Sequence, residues 1–376
     1  MPSWRSASPT SSGSSASREP LSKQAAMKLS LRRFVGSTRG AQNAHRQWSS
    51  RSGLLVELHA GSSRGLGEAS PLPGHSTDTL EQAETAFGSL NLAALERAIS
   101  VEDTGEALKS VANLLPRELP AARMALETAA LDLRGHERGT SAPALLGAEP
   151  GAERALAWLV GAPDAGALAA IRRAQRAGYD HFKIKLGRGG NLEREITAVR
   201  ELRQALGAGP RLRLDANRAW CEAEAKFACN TLNALDIEFI EEPCANPTRL
   251  GIAIPVALDE SLRGIDPDAL QAHALACGAG FVVLKPMLLG GLSRCLELGR
   301  RAAALHLGVV VSHSFDGPVA LAAAAALALV LPTQIAQGLA PHPGLGAWPR
   351  IPLPITQAAL HTWSTPGLGL AAELFR

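Results

Sequence analysis

The feature that most constrains the fold of this chain is a series of six short apolar runs, each ending in charged or polar side chains. In chain order they are HFKIKLG, RLRLDAN, IEFIEEP, VALDES, FVVLKP and VVVSHSF, all between residues 181 and 315. Amphipathic segments such as LEREITAVRELRQALG separate them, and we expect a helix between each pair. A closed barrel of parallel strands brings the carboxyl ends of its strands together around one point. The pattern therefore predicts an α/β barrel with one polar site.

Two further runs complete the strands that such a barrel needs. ALAWLVG precedes the six runs, and IAQGLA, around Gln337, follows them. A spacing of about 20–35 residues between runs is typical of βα units. We therefore assign the barrel to residues 151–350.

Residues 27–150 have a different pattern, with strands first and helices after. LLVELHA is the clearest strand, and the polar stretch STRGAQNAHRQWSSRSG is predicted to lie between strands, outside the core. A loop rich in Pro and Gly, GEASPLPGHS, leads into the helical segments TLEQAETAFGSL and ARMALETAALDLRG. The pattern predicts a separate α+β domain, and we expect residues 351–376 to fold back onto it.

The composition excludes several classes of function. The 376 residues are enough for a barrel and a smaller domain, and the hydrophobic content of 46% supports a large core. The net charge of +3 is small and the basic residues are scattered, which argues against nucleic-acid binding. No run of about 18 uncharged apolar residues with membrane-type flanks is present, so no membrane partner is expected.

The first residues and the cysteines favour a cytoplasmic protein. Residues 1–26 are rich in Ser and lack periodicity, so we predict a disordered tail, and they contain no apolar signal-peptide core. The five cysteines are dispersed, with no CxxC pair, as expected of reduced thiols. They are Cys221, Cys229, Cys244, Cys277 and Cys295.

Three carboxylates end three consecutive runs: Asp215, Glu241 and Asp259. Hard divalent cations prefer oxygen ligands, and a set without His or Cys suits Mg²⁺, or alternatively Mn²⁺, better than Zn²⁺. Each carboxylate taken alone is better explained as a helix cap or a surface loop residue. Three in consecutive strands predict a divalent metal site.

Three lysines flank this predicted metal site. Lys183 and Lys185 are two residues apart on one strand, so both side chains point to the barrel interior. Mutual repulsion and desolvation are expected to lower the pKa of each lysine, as a general base near neutral pH requires. Lys285 ends the sixth strand, where a salt bridge to Glu260 or Asp259 is compatible with a catalytic role.

Further polar residues are candidates for substrate contact or for support of the site. Arg213 and Asn217 share a strand face with Asp215, and Glu260 points away from Asp259. The candidates after the seventh strand are Ser312, His313 and Ser314. The assembled groups suit proton abstraction next to the carboxylate of a small molecule, with the metal neutralising the charge that develops.

These residues resemble the enolase superfamily, and within it the muconate-lactonizing subgroup. That subgroup shows K-x-K on the second strand, D, E and D on the next three and K on the sixth, and this chain has all of them in order. The stretches GEASPLPGHS, RMALETAALDL, RLDANRAW, FIEEPC, GIAIPVALDESL and LKPMLLGG are similar to the o-succinylbenzoate synthases of proteobacterial type. The resemblance implies a (β/α)7β barrel with an N-terminal α+β capping domain, whose loops near 37–52 and 69–76 close over the substrate.

The resemblance also implies a reaction, the metal-dependent syn dehydration of 2-succinyl-6-hydroxy-2,4-cyclohexadiene-1-carboxylate to o-succinylbenzoate, on the path to menaquinone. Lys185 is implied to be the base and then the acid, Lys183 to tune it, and Lys285 to stabilise the enediolate from the opposite face. The implied Mg²⁺ ligands are Asp215, Glu241 and Asp259. The family often receives the succinyl carboxylate with a serine-rich run after the seventh strand, whereas this chain has SHSFDGP, so the succinyl contacts stay open.

Other functions stay open on the sequence alone. N-acylamino acid racemases, dipeptide epimerases and cycloisomerases share the same lysines and carboxylates on the same scaffold. Dipeptide epimerases usually carry an acidic pair after the last strands, and the sequence has none near Gly338–Gly346. A catalytically inactive binding protein usually loses a ligand or a lysine, and none is lost here. The oligomeric state is open as well.

Overall fold

The computed structural model describes residues 26–188, 191–248, 250–345 and 353–370. The predicted tail, apart from its last residue, lies outside these ranges, as does the predicted barrel end near residue 350. Within them the chain forms an antiparallel sheet with helices, followed by a parallel barrel. This confirms the predicted α/β fold with an N-terminal α+β domain.

The N-terminal domain is a three-stranded antiparallel sheet covered by helices. Its strands are β1 (Lys28–Gln42), β2 (Gln47–Ala60) and β3 (Ser63–Ala69). Its helices are α1 (Leu80–Gly88), α2 (Leu92–Ile99), α3 (Thr104–Ala112), α4 (Pro120–Arg138) and α5 (Ala142–Leu146). The long helix α4 begins at Pro120, which has no amide hydrogen to leave unpaired, and ends at Gly139, whose φ of 62° favours glycine.

The polar stretch that we expected between strands is instead part of the long β1–β2 hairpin. Pairing continues through Gly36 and Arg51 and, after a register shift, resumes between Ala41 and Trp48. Ala41, Trp48 and Arg51 are buried, whereas most of their neighbours are exposed or half-buried. Because β1 is an edge strand with one face in solvent, it accepts polar residues. The composition of this segment therefore did not reveal the strands.

Two glycines let β3 approach α4 closely. A Cβ atom at Gly67 would overlap the carbonyl oxygen of Ala125, and one at Gly65 would overlap that of Ala129. Only glycine lets the backbones of a strand and a helix come this near. The two glycines thus fix the position of α4 on the sheet.

The barrel sheet has seven parallel strands in the order β11-β10-β9-β8-β7-β6-β5. The strands after β3 are β4 (Glu153–Ala155), β5 (Ala157–Gly161), β6 (His181–Lys185), β7 (Arg211–Asp215), β8 (Ile237–Glu241), β9 (Val256–Leu258), β10 (Ala279–Leu284), β11 (Gly308–Val311), β12 (Ile355–Thr356) and β13 (Ala359–His361). The helices after α5 are α6 (Ala167–Arg176), α7 (Leu192–Leu206), α8 (Glu222–Leu232), α9 (Leu270–Cys277), α10 (Pro286–Leu289), α11 (Leu292–Ala304) and α12 (Pro318–Val330). ALAWLVG and all six of the runs contain a barrel strand.

Two details differ from the predicted alternation of strands and helices. The connection from β8 to β9 contains turns and bends but no helix in its described part, which lacks residue 249. The eighth run, IAQGLA, contributes bridges from Gln337 to Leu156 and from Gly338 to Ser312 rather than a strand. These bridges still join β5 to β11, because the Ala157 amide donates to the Gln337 carbonyl and the Gly338 amide donates to the Val311 carbonyl, both at 2.8 Å.

The C-terminal segment contacts both the barrel and the capping helices. Strand β13 pairs antiparallel with β12 and with β4. The Leu368 amide donates to Asp132 of α4 at 2.7 Å, and the Ala142 amide donates to the Gly367 carbonyl at 2.7 Å. These contacts involve the described part, residues 353–370, of the segment that we expected to fold back. Across the described ranges, no helix has both the length and the apolar character needed to cross a membrane.

The interior of the barrel is filled beneath the strand ends. Phe239, Ala257, Val283 and Val310 form a small buried cluster. The guanidinium carbon of Arg213 lies 4.9 Å from the centre of the Phe239 ring, next to this cluster. Packed layers of this kind make the barrel a core rather than a channel. The polar residues at the carboxyl ends of the strands therefore face a pocket with a solid floor.

Candidate active site

The three carboxylates at the strand ends lie side by side at the carboxyl edge of the barrel. Lys185, Asp215 and Glu241 are neighbours in register on β6, β7 and β8, and Asp259 follows directly after β9. The carboxylates are at most 3% exposed. Since paired positions on parallel strands lie next to each other, the register brings these side chains together.

Two lysines of β6 contact these carboxylates from the same strand face. Lys183 Nζ is 2.8 Å from Asp215 Oδ2 and 2.5 Å from Glu241 Oε2. Lys185 Nζ is 2.9 Å from the same oxygen of Asp215. One carboxylate oxygen thus holds two ammonium groups close together.

Lys285 approaches the carboxylates from β10, on the other side of β8 and β9. Its Nζ donates to Asp259 Oδ2 and lies 3.7 Å from Glu241 Oε1. Of the two salt bridges that we considered, the structure therefore has the one to Asp259. Glu260, the other candidate, lies in a short 3-10 turn after Asp259, and its buried Oε2 has no hydrogen-bond partner among the described residues.

The contacts with the carboxylates contradict our expectation that the pKa of Lys183 is lowered. We expected desolvation and repulsion to lower the pKa of both lysines. Desolvation does act in that direction on Lys183, but attraction to Asp215 and Glu241 outweighs it, so its pKa is raised. Desolvation opposes ionisation of Asp215 too, yet the surrounding lysines hold the pKa of that carboxyl well below its usual range. Desolvation together with the charge of Asp215 raises the pKa of Glu241 to about 7.

The donor set at the strand ends suits a divalent cation bound through oxygen. No three carboxylate, histidine or cysteine side chains in the described ranges form a ready-made metal site. Lysine ammonium groups lie between the carboxylates instead. However, Glu241 Oε1 is buried without a hydrogen-bond donor from the described part of the chain, which is costly for a carboxylate. A hard cation such as Mg²⁺ would satisfy this oxygen.

Asn217 connects the barrel site to the capping hairpin. Its Oδ1 accepts from Lys185 at 2.9 Å, and its amide donates to Asp215 Oδ1 at 3.0 Å. Its carbonyl accepts a hydrogen bond from Nε2 of His45, in the turn between β1 and β2, at 2.8 Å. Asn217 has a φ of 44°, so the strand alternation that we used to place it ends before it, although its side chain still reaches the lysine.

Arg213 lies one layer beneath Asp215 and is fully engaged there. It is 1% exposed, and its guanidinium donates to Glu238 at 2.6 Å and to the Ala336 carbonyl at 2.7 Å. Its carboxylate partner is thus Glu238 and not a strand-end carboxylate. Arg213 contributes to the floor of the pocket.

The loop after β11 forms the opposite wall of the pocket. Ser312, His313 and Ser314 all line it. His313 Nδ1 and Ser314 Oγ are buried and have no hydrogen-bond partner among the residues described. Ser312 Oγ donates weakly to the Gly338 carbonyl, at 3.3 Å. This wall therefore offers unsatisfied polar atoms that a ligand can pair with.

Three histidines lining the pocket are neutral at pH 7. Desolvation, assisted by neighbouring positive charge, lowers the pKa of His75 and His313 to about 3 and that of His342 to about 4. Nε2 of His75 accepts from Arg263 at 2.7 Å, and Nδ1 of His342 accepts from the Gly344 amide at 2.9 Å. Sequence reasoning missed His75 and His342, because neither follows one of the six apolar runs.

The capping domain supplies an apolar wall. Trp48 of the hairpin and Leu72 of the following loop pack with Phe315. The rings of Trp48 and Phe315 have centroids 6.0 Å apart, and the Phe315 ring meets His342 edge-on at 5.1 Å. Both segments that we expected near the substrate, 37–52 and 69–76, thus contribute residues to the pocket.

Two buried residues that the sequence analysis did not single out join this wall to the barrel. Arg51 donates to the carbonyls of Phe315 and Pro71, both at 3.0 Å. Glu68 accepts from the Gly317 amide at 2.6 Å and the Val319 amide at 3.1 Å, at the start of α12. Their barrel partners, Phe315 and Gly317, lie 264 and 249 residues further along the sequence. No local sequence pattern could therefore reveal the roles of Arg51 and Glu68.

The class of protein follows from comparison with family models. Residues 166–373, more than half of the chain, match the family described as enolase C-terminal domain-like. Residues 38–113 match the MenC N-terminal domain. Solved structures with the same fold include the muconate lactonizing enzyme from Pseudomonas fluorescens complexed with muconolactone, with a TM-score of 0.80 and 23% identity, covering 92% of this chain and 95% of that one. The L-Ala-D/L-Glu epimerase from Bacillus subtilis gives a TM-score of 0.79 with 21% identity, covering 91% and 97%.

Curated relatives narrow the class to one family. The o-succinylbenzoate synthase of Yersinia pseudotuberculosis is 32% identical over 326 residues, 83% of this chain and 90% of the relative. The o-succinylbenzoate synthase of Pasteurella multocida is 29% identical over 324 residues, 81% of this chain and 87% of the relative. The chain belongs to the o-succinylbenzoate synthase family of the enolase superfamily.

Proposed function

We propose that this protein is a Mg²⁺-dependent o-succinylbenzoate synthase, a hydro-lyase of menaquinone biosynthesis. Its substrate would be 2-succinyl-6-hydroxy-2,4-cyclohexadiene-1-carboxylate. The observation that carries the proposal is the similarity to synthases over nine-tenths of the length of a relative, in a chain that keeps three carboxylates and three lysines around one pocket. The reaction removes a proton from C1 and hydroxide from C6 of the same ring.

Asp215, Glu241 and Asp259 are the proposed ligands of Mg²⁺. The three belong to adjacent strands, and the Glu241 oxygen that accepts no hydrogen bond from the described residues supports the assignment. When bound, the metal supplies positive charge at the substrate carboxylate, which makes the neighbouring C–H bond more acidic. Mg²⁺ would also compete with Lys183 for Asp215 and Glu241, and so weaken the attraction that raises the pKa of this lysine.

Lys185 is the proposed base and acid. As a neutral amine it takes the C1 proton, and the electron pair left behind is shared with the C1 carboxylate as an enediolate. This pair then returns to form the C1–C6 double bond as the C6–O bond breaks. The resulting ammonium group then gives its proton to the departing hydroxide, so the products are o-succinylbenzoate and water. A single residue performs both transfers on one face of the ring, which accounts for syn elimination. Asp215 and Asn217, both 2.9 Å from Nζ, hold this amine in place.

Lys183 and Lys285 are proposed to act through charge. Lys183 shares an oxygen of Asp215 with Lys185, so its positive charge lies beside the proposed base. Lys285 comes from β10, across the pocket from β6, where its ammonium group stabilises the negative charge of the enediolate. Its charged state is favoured, because attraction to Asp259 and Glu241 overcomes desolvation and raises its pKa.

The pocket wall after β11 is the proposed position of the succinyl group. Its polar atoms include the unpaired His313 Nδ1 and Ser314 Oγ, with Ser312 beside them. Trp48 and Phe315 give an apolar surface suited to a flat six-membered ring. Arg213 supports the site from its floor and Asn217 through Lys185, while Glu260 begins the turn after Asp259.

The proposed function is tested by offering the purified protein its substrate and a panel of N-acylamino acids and dipeptides, with Mg²⁺ in D₂O. We expect rapid formation of o-succinylbenzoate and slow or undetectable α-deuteration of the panel. Fast deuteration without dehydration would instead make the protein a racemase or epimerase. That alternative uses the same lysines on two sides of the pocket, and the named synthases among its relatives weigh against it.

A further inference from the structure

The chain turns sharply just after two of the three proposed metal ligands. Asn217 and Arg218, which follow Asp215, have φ values of 44° and 61°. Glu242, which follows Glu241, has a φ of 39°. Non-glycine residues rarely adopt this left-handed region, and those that do cluster at functional sites. Something must hold these turns in place.

Glu242 is at the centre of the contacts that do so. Its side chain is fully buried, and Oε1 accepts the amides of Asp259 at 2.9 Å and Ser261 at 2.7 Å. Oε2 accepts from Ser261 Oγ at 2.9 Å and from Arg218 Nε at 2.8 Å. A carboxylate directly after β8 thus binds the turn after β7 and the turn after β9 at once.

Arg218 completes the connection between the outer two turns. Its Nη2 donates to Ser261 Oγ at 2.8 Å, and its amide donates to the Glu242 carbonyl at 2.8 Å. The three side chains of Arg218, Glu242 and Ser261 form a closed set of contacts, which we call the strand-end brace. Each member lies within three residues of one proposed ligand.

We propose that the strand-end brace positions the metal ligands, with Glu242 as its central positioning residue. The brace contacts none of the reacting groups; it fixes the spacing of Asp215, Glu241 and Asp259 by fixing the turns that follow them. The Asp259 amide bonded to Glu242 belongs to a ligand itself. This inference rests on the metal assignment within the proposed function and adds a residue that determines metal affinity.

The expected effect of a change follows from the charges and donors around Glu242. A glutamine at this position keeps the size but offers one acceptor oxygen in place of two, and its NH₂ group faces donors that now lack an acceptor. Residues that hold metal ligands in place typically contribute 10–100-fold to metal affinity. We therefore expect Glu242→Gln to weaken Mg²⁺ binding by about this factor.

The test measures Mg²⁺ binding to the full-length protein directly, by calorimetry and by the rise of the thermal midpoint with Mg²⁺ concentration. Glu242→Gln, Ser261→Ala and Arg218→Met should all raise the Kd for Mg²⁺, with Ser261→Ala the mildest. Arg218→Lys should recover part of the loss, because it restores positive charge beside Glu242. Glu127→Gln is the matched control, since Glu127 is a buried carboxylate that accepts an amide and a hydroxyl of Ser293, away from the pocket.

Two outcomes would overturn the inference, and they are distinguishable from failure of the proposed function. If Glu242→Gln bound Mg²⁺ as tightly as wild type, or if Glu127→Gln weakened binding equally, the brace would have no specific role, whatever reaction the enzyme catalyses. If wild type bound Mg²⁺ but did not dehydrate the substrate, the proposed function would fail. The effect of the strand-end brace on the Kd for Mg²⁺ could still be measured. Should Glu242→Gln not fold, Ser261→Ala and the Arg218 pair decide the question.

Discussion

At the residue scale, the site is defined by buried opposite charges in direct contact. Asp215 and Glu241 are buried, and their charge is matched mainly by lysines of β6 and β10. Such an arrangement is expensive to assemble and is stable only when each charge has a partner. Substitution of a charged residue in the site should therefore change both proton transfer and the balance of charge. A comparison of variants at Lys185 and Lys285 separates these two effects.

We predict that Lys185→Ala and Lys285→Ala both lose activity, by different routes. Removal of Lys185 removes general base and acid catalysis, typically about 10²–10⁴-fold in kcat. Removal of Lys285 removes charge stabilisation, worth about 10²–10³-fold. Exchange of the substrate C1 proton with D₂O, followed by mass spectrometry, distinguishes them, because only Lys185 is proposed to take that proton. Complete loss of exchange in Lys285→Ala, with exchange retained in Lys185→Ala, would reverse the two roles.

The site residues that could be predicted from the sequence are those placed by the strand that they end. Asp215, Glu241 and Lys285 could be found because an apolar run with a polar end specifies both the strand and the height of the side chain. Glu242 adjoins the same run, yet its role could not be inferred, since its partners Arg218 and Ser261 lie 24 and 19 residues away in sequence. The pKa direction of Lys183 was wrong for the same reason: it depends on carboxylates from other strands.

At the element scale, the capping domain depends on how closely β3 lies against α4. This element pair carries Glu68 on the strand and Glu127 on the helix, and both reach the barrel. A change in the spacing of β3 and α4 would therefore alter these contacts with the barrel. The hairpin itself was not recognised from the sequence, because an edge strand with polar side chains lacks the apolar alternation that identifies a buried one.

We predict that Gly67→Ala destabilises the protein by about 1–3 kcal/mol, the usual cost of overpacking. The added methyl group would overlap the Ala125 carbonyl, which belongs to the helix backbone and has little freedom to move. Urea unfolding followed by circular dichroism measures the change. Gly88→Ala is the control, because the added Cβ atom would meet no neighbouring group within 4 Å. Gly61→Ala is unsuitable, since the φ of 57° at Gly61 would strain an alanine. Equal stability of the two variants would contradict the proposed close packing.

At the scale of the whole molecule, buried carboxylates connect the two domains. Glu68 binds amides at the start of α12, and Glu127 binds the Ser293 amide at the start of α11. Neither barrel helix has a side chain of its own as a cap. A negative charge at a helix N-terminus satisfies free amides and interacts favourably with the helix dipole. The capping domain therefore completes two helices of the barrel.

We predict that Glu127 makes stability fall as the pH rises from about 4.5 to 7. Desolvation raises the pKa of Glu127 from 4.5 to about 7, although Ser293 acts in the opposite direction. The folded state thus binds more protons than the unfolded state in this window, and the free energy of unfolding decreases with pH by up to about 3 kcal/mol. Glu127→Gln removes this titration, so its unfolding free energy should change less across the window. If the free energy of unfolding of wild type and of Glu127→Gln, measured in urea, changed equally with pH, Glu127 would not be the titrating group.

The way in which the domains share these helices has a consequence for synthesis on the ribosome. The chain is made from its N-terminus, and domains generally fold as units in that order. Glu68 and Glu127 therefore emerge well before the helices at Leu292–Ala304 and Pro318–Val330 that need them. When the last barrel helices appear, their caps are already in place on a preformed surface. With this order of folding, we expect the capping domain to act as an internal template for the last two helices of the barrel.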